Sequence, residues 1–238
     1  YLKKSDEIQK RTIPIVKTLL TQISEKKSIK KEINTATTKI TLRYGLIDMN
    51  RTITGYLKGN YNDSADKFET INGDSISTWN NFNWNSKHYC TSIFIPSEFE
   101  TKIKSDVKNS IITDSKIHTI THVLVNASKI LTKSESNDID AYYENGVIHL
   151  FDNTSDGYNG CSKMIYENFE EIMKTCFDLI NECDCPVDPK QKKAVSEGEE
   201  WGGCPKCTFT TNYCQTKNKK LSKNEALEFF SIFKREIK

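Results

Sequence analysis

Apolar and polar positions along this 238-residue chain change their spacing several times. Over residues 2–32 the apolar positions Ile8, Ile13, Ile15, Leu19, Leu20 and Ile23 fit a loosely amphipathic helix, with Pro14 kinking or interrupting it. Over residues 38–60 partial alternation of Thr38, Ile40, Leu42 and Tyr44, then Ile53 to Leu57 after a turn, predicts a small β element. Residues 60–86, rich in Asn, Asp, Ser and Gly, read as surface loop, and 88–95 as a strand stopped by Pro96.

Helical spacing returns between Lys116 and Leu131, where Ile117, Ile120, Val123, Leu124 and Ala127 make a broad apolar face. Residues 141–151 predict a hairpin whose turn is Glu144-Asn145-Gly146, because Asn-Gly supplies the positive φ angles that a two-residue turn needs. A break at Gly157–Gly160 precedes one long helix over about 161–182, with a buried stripe of Met164, Ile165, Phe169, Ile172, Met173, Cys176 and Ile180. Near the end, Ser222-Lys223-Asn224-Glu225 fits a capping box that opens a last helix with Leu227, Phe230 and Phe233 inward. The polar segment Lys190–Gly203 reads as an exposed loop.

Composition narrows the class. Charged residues are 28% and hydrophobic ones 36%, which suits a soluble globular protein long enough to bury a core. No apolar run approaches the ~18 residues of a membrane span, and the start lacks a basic-then-apolar signal peptide, so no membrane partner is expected. A start at Tyr1 rather than Met fits a fragment or a trimmed product. Net charge is only +2, but residues 1–34 hold nine Lys/Arg against four acids, and the tail after Cys214 is basic again. A solvated helix face explains this stretch, and so does a polyanion partner.

Five of the eight cysteines fall in one stretch: Cys183-Asp184-Cys185, eighteen further residues, Cys204-Pro205-Lys206-Cys207, then Cys214. A C-x-x-C turn sets two thiolates about one metal, and a structural zinc ion takes four such ligands in a closed tetrahedron. Cys204 and Cys207 form the safest pair, Cys214 is a good third, and the fourth is Cys183 or Cys185. Of these, Cys185 is favoured as nearer the loop and off the helix end. Such clustering without a signal peptide points to a reducing compartment, which makes Asn62-Asp63-Ser64 and Asn126-Ala127-Ser128 chance sequons. Cys90, Cys161 and Cys176 lie in apolar contexts and read as packing residues.

Two other groups are weighed. His118 and His122 share a helix face, but no Glu follows the first His, so hydrolytic zinc chemistry is rejected and a packed polar layer is preferred. Asp152 ends a strand before the turn Asp156-Gly157-Tyr158-Asn159-Gly160. There it ties the loop down by capping amides, or the turn presents amides to an anion. A metal held by His118, His122 and Asp152 is the least favoured alternative. No Walker motif, nucleophile elbow or dinucleotide fingerprint occurs.

Taken in order, His118-x-x-x-His122, Asp138 and Asp140, Leu150-Phe151-Asp152, the glycine turn, Cys183-x-Cys185, Gly203-Cys204-Pro205-x-Cys207, Cys214 and Leu221-Ser222-Lys223-x-x-Ala226 resemble the zinc-binding domain called DUF1998 or MZB. This domain sits at the C-terminus of superfamily 2 DEAD/DEAH-type helicases of the mitomycin-repair-factor and RecQ4-like class. The likeness covers about 112–233; residues 40–95 resemble, more weakly, the β-rich segment before that domain. The family has few residues between C-x-C and G-C-P-x-C and a Gly-Gly-x-Gly loop, where this chain has eighteen and a less glycine-rich turn.

The resemblance implies an α+β fold, with a helix plus β-rich accessory region over 1–110 and a helical zinc-binding domain with a small β-hairpin over 111–238. It implies one structural zinc and no catalysis by this chain alone. It further implies DNA and a helicase motor, in cis or in trans, as partners in DNA repair, and a cytoplasmic or nucleoid-associated location. The alternative is an interaction subunit of a DISARM-like phage-defence assembly that partners a separate helicase.

Overall fold

Of the N-terminal residues expected to be helical, those that are described form two strands. In the computed structural model, which describes residues 10–22, 28–35, 38–60, 69–72, 83–96, 115–185, 204, 206–210, 221 and 223–234, strand β1 is Lys10–Gln22 and β2 is Ile29–Asn34. Local composition explains the correction. Thr12, Ile13, Ile15, Val16, Thr18 and Thr21 are β-branched, and such side chains lose rotamer freedom in a helix but suit a pleated surface. Pro14 belongs to an edge strand, where a missing N–H need not break a ladder. The register shifts between Ile15 and Val16, directly after it, as at a β-bulge.

The chain forms two compact units, Tyr1–Ile23 with Ile47–Lys87, and Ser24–Leu46 with His88–Lys238. Strand β3 (Lys39–Asn60) is shared between them and runs without the turn expected before Ile53. In the first unit β1 pairs antiparallel with β3, from Gln22 opposite Ile47 to Lys10 opposite Asn60. A short β4 (Glu69–Asn72) lies against Gly55–Lys58 of β3, inside the stretch expected to be loop.

In the second unit β2 pairs with Lys39–Tyr44 at the start of β3, and Thr35 closes the hairpin. Its N–H donates to the Thr38 carbonyl (2.8 Å) and its hydroxyl accepts from the Thr38 amide (3.0 Å). Strand β5 (Asn83–Phe94) starts five residues earlier than expected and ends next to Ile95 and Pro96. It pairs with β7 (Val147–Asp152), which pairs with β6 (Ile139–Glu144), giving the order β3-β5-β7-β6. The expected Asn-Gly turn joins β6 to β7, with φ +49° at Asn145 and +81° at Gly146. Alternate residues Ile40, Leu42, Tyr44, Ile93, Ile148 and Leu150 are buried and join the core shared with the helices.

Helix α1 (Ser115–Thr132) matches the expected element. Its residues from Ile117 to Val125 are all buried, as befits a helix packed against β6 on one side and against other helices on the rest. The long helix expected over 161–182 is two, α2 (Cys161–Glu167) and α3 (Phe169–Asn181), separated at Asn168, whose φ of −109° and ψ of 29° leave the helical region. Met164 is 41% exposed and not part of the buried stripe. The stripe instead runs through Ile165, Phe169, Ile172, Cys176 and Ile180, steps of three or four residues with Met173 beside them, and Met164 is offset from it by one.

The last helix, α4 (Lys223–Lys234), packs on α1 and α3 through Ala226, Phe229, Phe230 and Phe233, with Leu227 partly buried beside them. Phe229 was not anticipated. Ser222 of the expected capping box, the loop Lys190–Gly203 and Cys214 lie outside the described residues. The architecture is α+β, with antiparallel strands and a four-helix layer among the described residues. No helix among them is long and apolar enough to cross a membrane.

Candidate metal centre

Helix α3 ends with the Glu182 amide bonded to the Asp178 carbonyl at 2.9 Å, and the chain then leaves the helix through Cys183 and Cys185. The second arm is a tight knuckle. The amides of Thr208 and Phe209 both donate to the Cys204 carbonyl at 3.0 Å. The Thr208 hydroxyl accepts from the Cys204 amide (2.6 Å) and donates to the Cys204 carbonyl (3.2 Å). The Lys206 amide donates to Cys204 Sγ at 3.3 Å, a charge-assisted bond once that sulfur is a thiolate.

The two arms bring Cys183, Cys185, Cys204 and Cys207 together, with all four sulfurs within 4.8 Å of one another. Cys183 and Cys204 are 3.7 Å apart at sulfur, close to the edge of about 3.8 Å that a tetrahedron with zinc–sulfur bonds of about 2.3 Å requires. Cys207 is fully buried, Cys204 nearly so, and the other two are half-buried. Both candidates for the fourth position, Cys183 and Cys185, are therefore in the cluster together. Four thiols placed to hold one metal ion fit zinc in a closed site. Among the described residues, no other three His, Cys, Asp or Glu side chains gather in this way.

The electrostatics ask for a cation. Burial opposes ionisation of Cys204, but the amides of Lys206 and Cys207 and the neighbouring thiols outweigh it and bring the thiol down to about 7. Burial pushes the Cys207 thiol far up, and the nearby Cys204 and Cys183 push it further. Burial also raises Cys185, which Lys223 offsets in part. Thiols this close ionise one at a time unless a metal absorbs the accumulating charge.

Helix α1 grips the knuckle from behind. The His122 Nδ1–H donates to the Thr208 carbonyl at 3.0 Å, a partner that only accepts, so the proton sits on Nδ1. One turn on, Asn126 Nδ2 donates to the carbonyls of Phe209 (2.8 Å) and Cys207 (3.4 Å). His118 is buried with its ring 4.3 Å from that of His122, edge to face. The histidines thus form the anticipated packed polar layer. Sequence reasoning does not reach Thr208 or Asn126, although Asn126 follows His118 and His122 at the spacing of one helix face.

Asp152 lies elsewhere and ties down the glycine turn. Oδ2 accepts from the amides of Asn159 and Gly160 (3.1 Å each), and Oδ1 from that of Ser162 (2.6 Å). Its carboxylate is spent on the start of α2. Cys90 and Cys176 are buried packing residues; burial pushes Cys90 up to about 12 and Cys176 well above its ordinary value. Cys161 is buried at the start of α2.

At the rim Lys206 Nζ meets Asp184 Oδ1 at 3.1 Å, both exposed. Further in, Lys223 at the start of α4 donates from Nζ to Cys185 Sγ and to the Cys183 carbonyl, each at 3.0 Å.

Residues 120–208 match the family model described as the MrfA Zn-binding domain, MZB. All four clustered cysteines fall inside that match. The fold is similar to a crystal structure of the DUF1998 helicase MrfA bound to DNA, with a TM-score of 0.56 and 16% identity over 95% of this chain and 26% of that one. It is similar also to the same helicase bound to DNA and AMPPNP, with a TM-score of 0.50 and 14% identity over 94% of this chain and 23% of that one. The chain thus spans about a quarter of the length of the helicase structures that it matches. Comparison with curated proteins finds no match.

Proposed function

We propose, for a chain whose residues 120–208 match the model of the MrfA Zn-binding domain, the role of non-catalytic accessory region of a DEAD/DEAH-type DNA helicase acting in DNA repair. The observation that carries the reading is the coincidence of two independent facts. The matched stretch ends at residue 208, and the four-cysteine cluster closes at Cys207 within it.

Cys183, Cys185, Cys204 and Cys207 hold one zinc ion; when bound, it supplies a cross-link between the end of α3 and the knuckle. A site closed by four thiolates leaves no position for a reacting water, so its work is structural. His122 and Asn126 carry that rigidity into α1, and Lys223 carries it into α4. What the ion stabilises is a three-helix platform, which the accessory region presents to the motor or to nucleic acid.

The basic stretch 1–34 and the tail after Cys214 are the candidate phosphate contacts. Lys30 of the first stretch and Lys39 just beyond it flank Glu32 at 2.7 and 2.6 Å, so part of their charge is already offset.

The test is fluorescence anisotropy of the zinc-loaded chain with labelled single-stranded and duplex oligonucleotides, at low and at physiological salt. Saturable binding that weakens with salt, with no ATP hydrolysis, is the expected result. No binding even at low salt would remove DNA from the reading, and failure of the chain to associate with separately expressed motor domains would then remove the accessory role itself.

A further inference from the structure

A centre of four thiolates around a divalent cation carries two net negative charges, and burying such a charge is costly unless something opposes it. At the rim, Lys206 is exposed and already paired with Asp184. The ammonium of Lys223 is placed differently. It is partly buried, and it touches the Cys183-x-Cys185 arm twice, at Cys185 Sγ and at the Cys183 carbonyl, both at 3.0 Å. It is also the first residue of α4, whose Ala226, Phe229, Phe230 and Phe233 are core.

We infer that Lys223 is a positioning residue of the metal centre, which holds the Cys183-x-Cys185 arm in its ligating geometry, offsets the charge of the tetrathiolate and couples occupancy of the site to the docking of α4. The inference rests on the zinc reading above and deepens it. A hydrogen bond to a ligating sulfur withdraws charge from it and fixes its lone-pair direction, the role that outer-shell partners play around metal ligands generally. The carbonyl contact fixes the backbone between the two cysteines, so a single ammonium sets both the direction of one ligand and the path of the arm. Because the same residue begins α4, release of the metal removes the anion that holds the start of that helix.

The experiment compares the full chain with Lys223→Met, Lys223→Arg and Lys206→Met, each loaded with zinc. Zinc affinity is read by competition with a chromogenic chelator, and the thiolate-to-metal charge-transfer band is read after cobalt substitution. Lys223→Met is expected to bind zinc about 10-fold more weakly or worse and to shift the cobalt band, because the hydrogen bond to Cys185 is lost. Lys223→Arg is expected to recover most of the affinity, and Lys206→Met to stay within about twofold of the parent, since its exposed pair contributes little.

Equal affinity and an unmoved band in Lys223→Met would overturn the inference while leaving the zinc site standing. If Lys223→Met does not fold, Lys223→Gln takes its place: weaker zinc binding with a shifted band supports the inference, and parental affinity with an unmoved band overturns it. A parent chain that binds no zinc would sink the reading beneath it.

Discussion

Truncating Asp152 to alanine tests how the sheet is joined to the helical layer. The side chain is wholly buried at the end of β7 and receives three backbone amides, from Asn159, Gly160 and Ser162. Each hydrogen bond to a charged group contributes roughly 1.5–3 kcal/mol, and a buried donor left alone costs about as much. The three are not equal. Asn159 is exposed, so water replaces its bond at little cost, and Gly160 is half-buried, so its bond is replaced in part. Ser162 is fully buried and its bond is the shortest, so its amide keeps nearly the whole penalty. The expected loss for Asp152→Ala is therefore about 4 kcal/mol, a large share of the ~5–15 kcal/mol by which a domain is stable. Urea unfolding followed by far-UV circular dichroism, with zinc saturating in both proteins, measures it. Asp152→Asn should recover less than half, because its amide nitrogen, whichever way the amide turns, faces at least one of the three N–H groups and the charge is lost. A loss below about 1 kcal/mol would refute the reasoning, since three satisfied amides cannot then be what the carboxylate is for.

Other consequences follow from the site and the sheet. Cys207→Ser should bring zinc well below one per chain and speed amide exchange in α4, because metal binding there contributes folding free energy; full zinc by elemental analysis would contradict this. Asn126→Ala removes the grip on the Phe209 carbonyl and should cost about 1 kcal/mol of stability and quicken zinc loss to a chelator, with an unchanged release rate counting against the grip. Burial pushes His149, bonded to Ser92 Oγ at 2.9 Å, down to about 4 from 6.5. The unfolded chain then binds the extra proton between those values, so stability is full above pH 6.5 and lost as pH falls through about 4. The His149 share of that loss is about 2 kcal/mol at pH 5, read as the difference in pH dependence between the parent and His149→Gln; parallel curves would refute it.

Where local chemistry decides structure, the sequence could be read directly. Asn145-Gly146 can supply two positive φ angles in succession, and the hairpin is there. Helix α1 was plain from its three-and-four spacing. The N-terminal segment reads as a helix because Ile13, Ile15, Leu19, Leu20 and Ile23 satisfy a loose helical pattern as well as a strand, with Pro14 as its kink. What decides between the two is pairing with β3, whose partner residues run from Ile47 opposite Gln22 to Asn60 opposite Lys10, beyond any local window. Met164 reads as part of the stripe because it adjoins Ile165, yet it lies one position off the spacing that Ile165, Phe169, Ile172 and Cys176 keep, and the break at Asn168 makes two helices of the expected one.

The metal centre divides in the same way. Its ligands are local, since a C-x-x-C turn and a C-x-C arm each announce themselves in three or four residues, and all four sulfurs meet. Its supports are not local. His122 and Asn126 reach carbonyls 81 to 86 residues further on, and Lys223 reaches back 38 and 40. Such contacts cannot be read from spacing, because nothing about a histidine on a helix says which carbonyl it will find.

They also explain how an eighteen-residue spacer between the two arms can be tolerated. Loop-closure entropy rises only by about 0.6 kcal/mol for each doubling of length, so the spacer costs little if the arms are held by something other than the spacer. Here the arms are held by α3, α1 and α4, three helices already packed through Ile172, Cys176, Phe229 and Phe230. The apolar core brings the arms close but is tolerant of small shifts along each helix; four sulfurs around one ion are not. The ion therefore contributes register more than adhesion, and register is what a surface needs if it is to meet a motor or a strand of nucleic acid in one orientation.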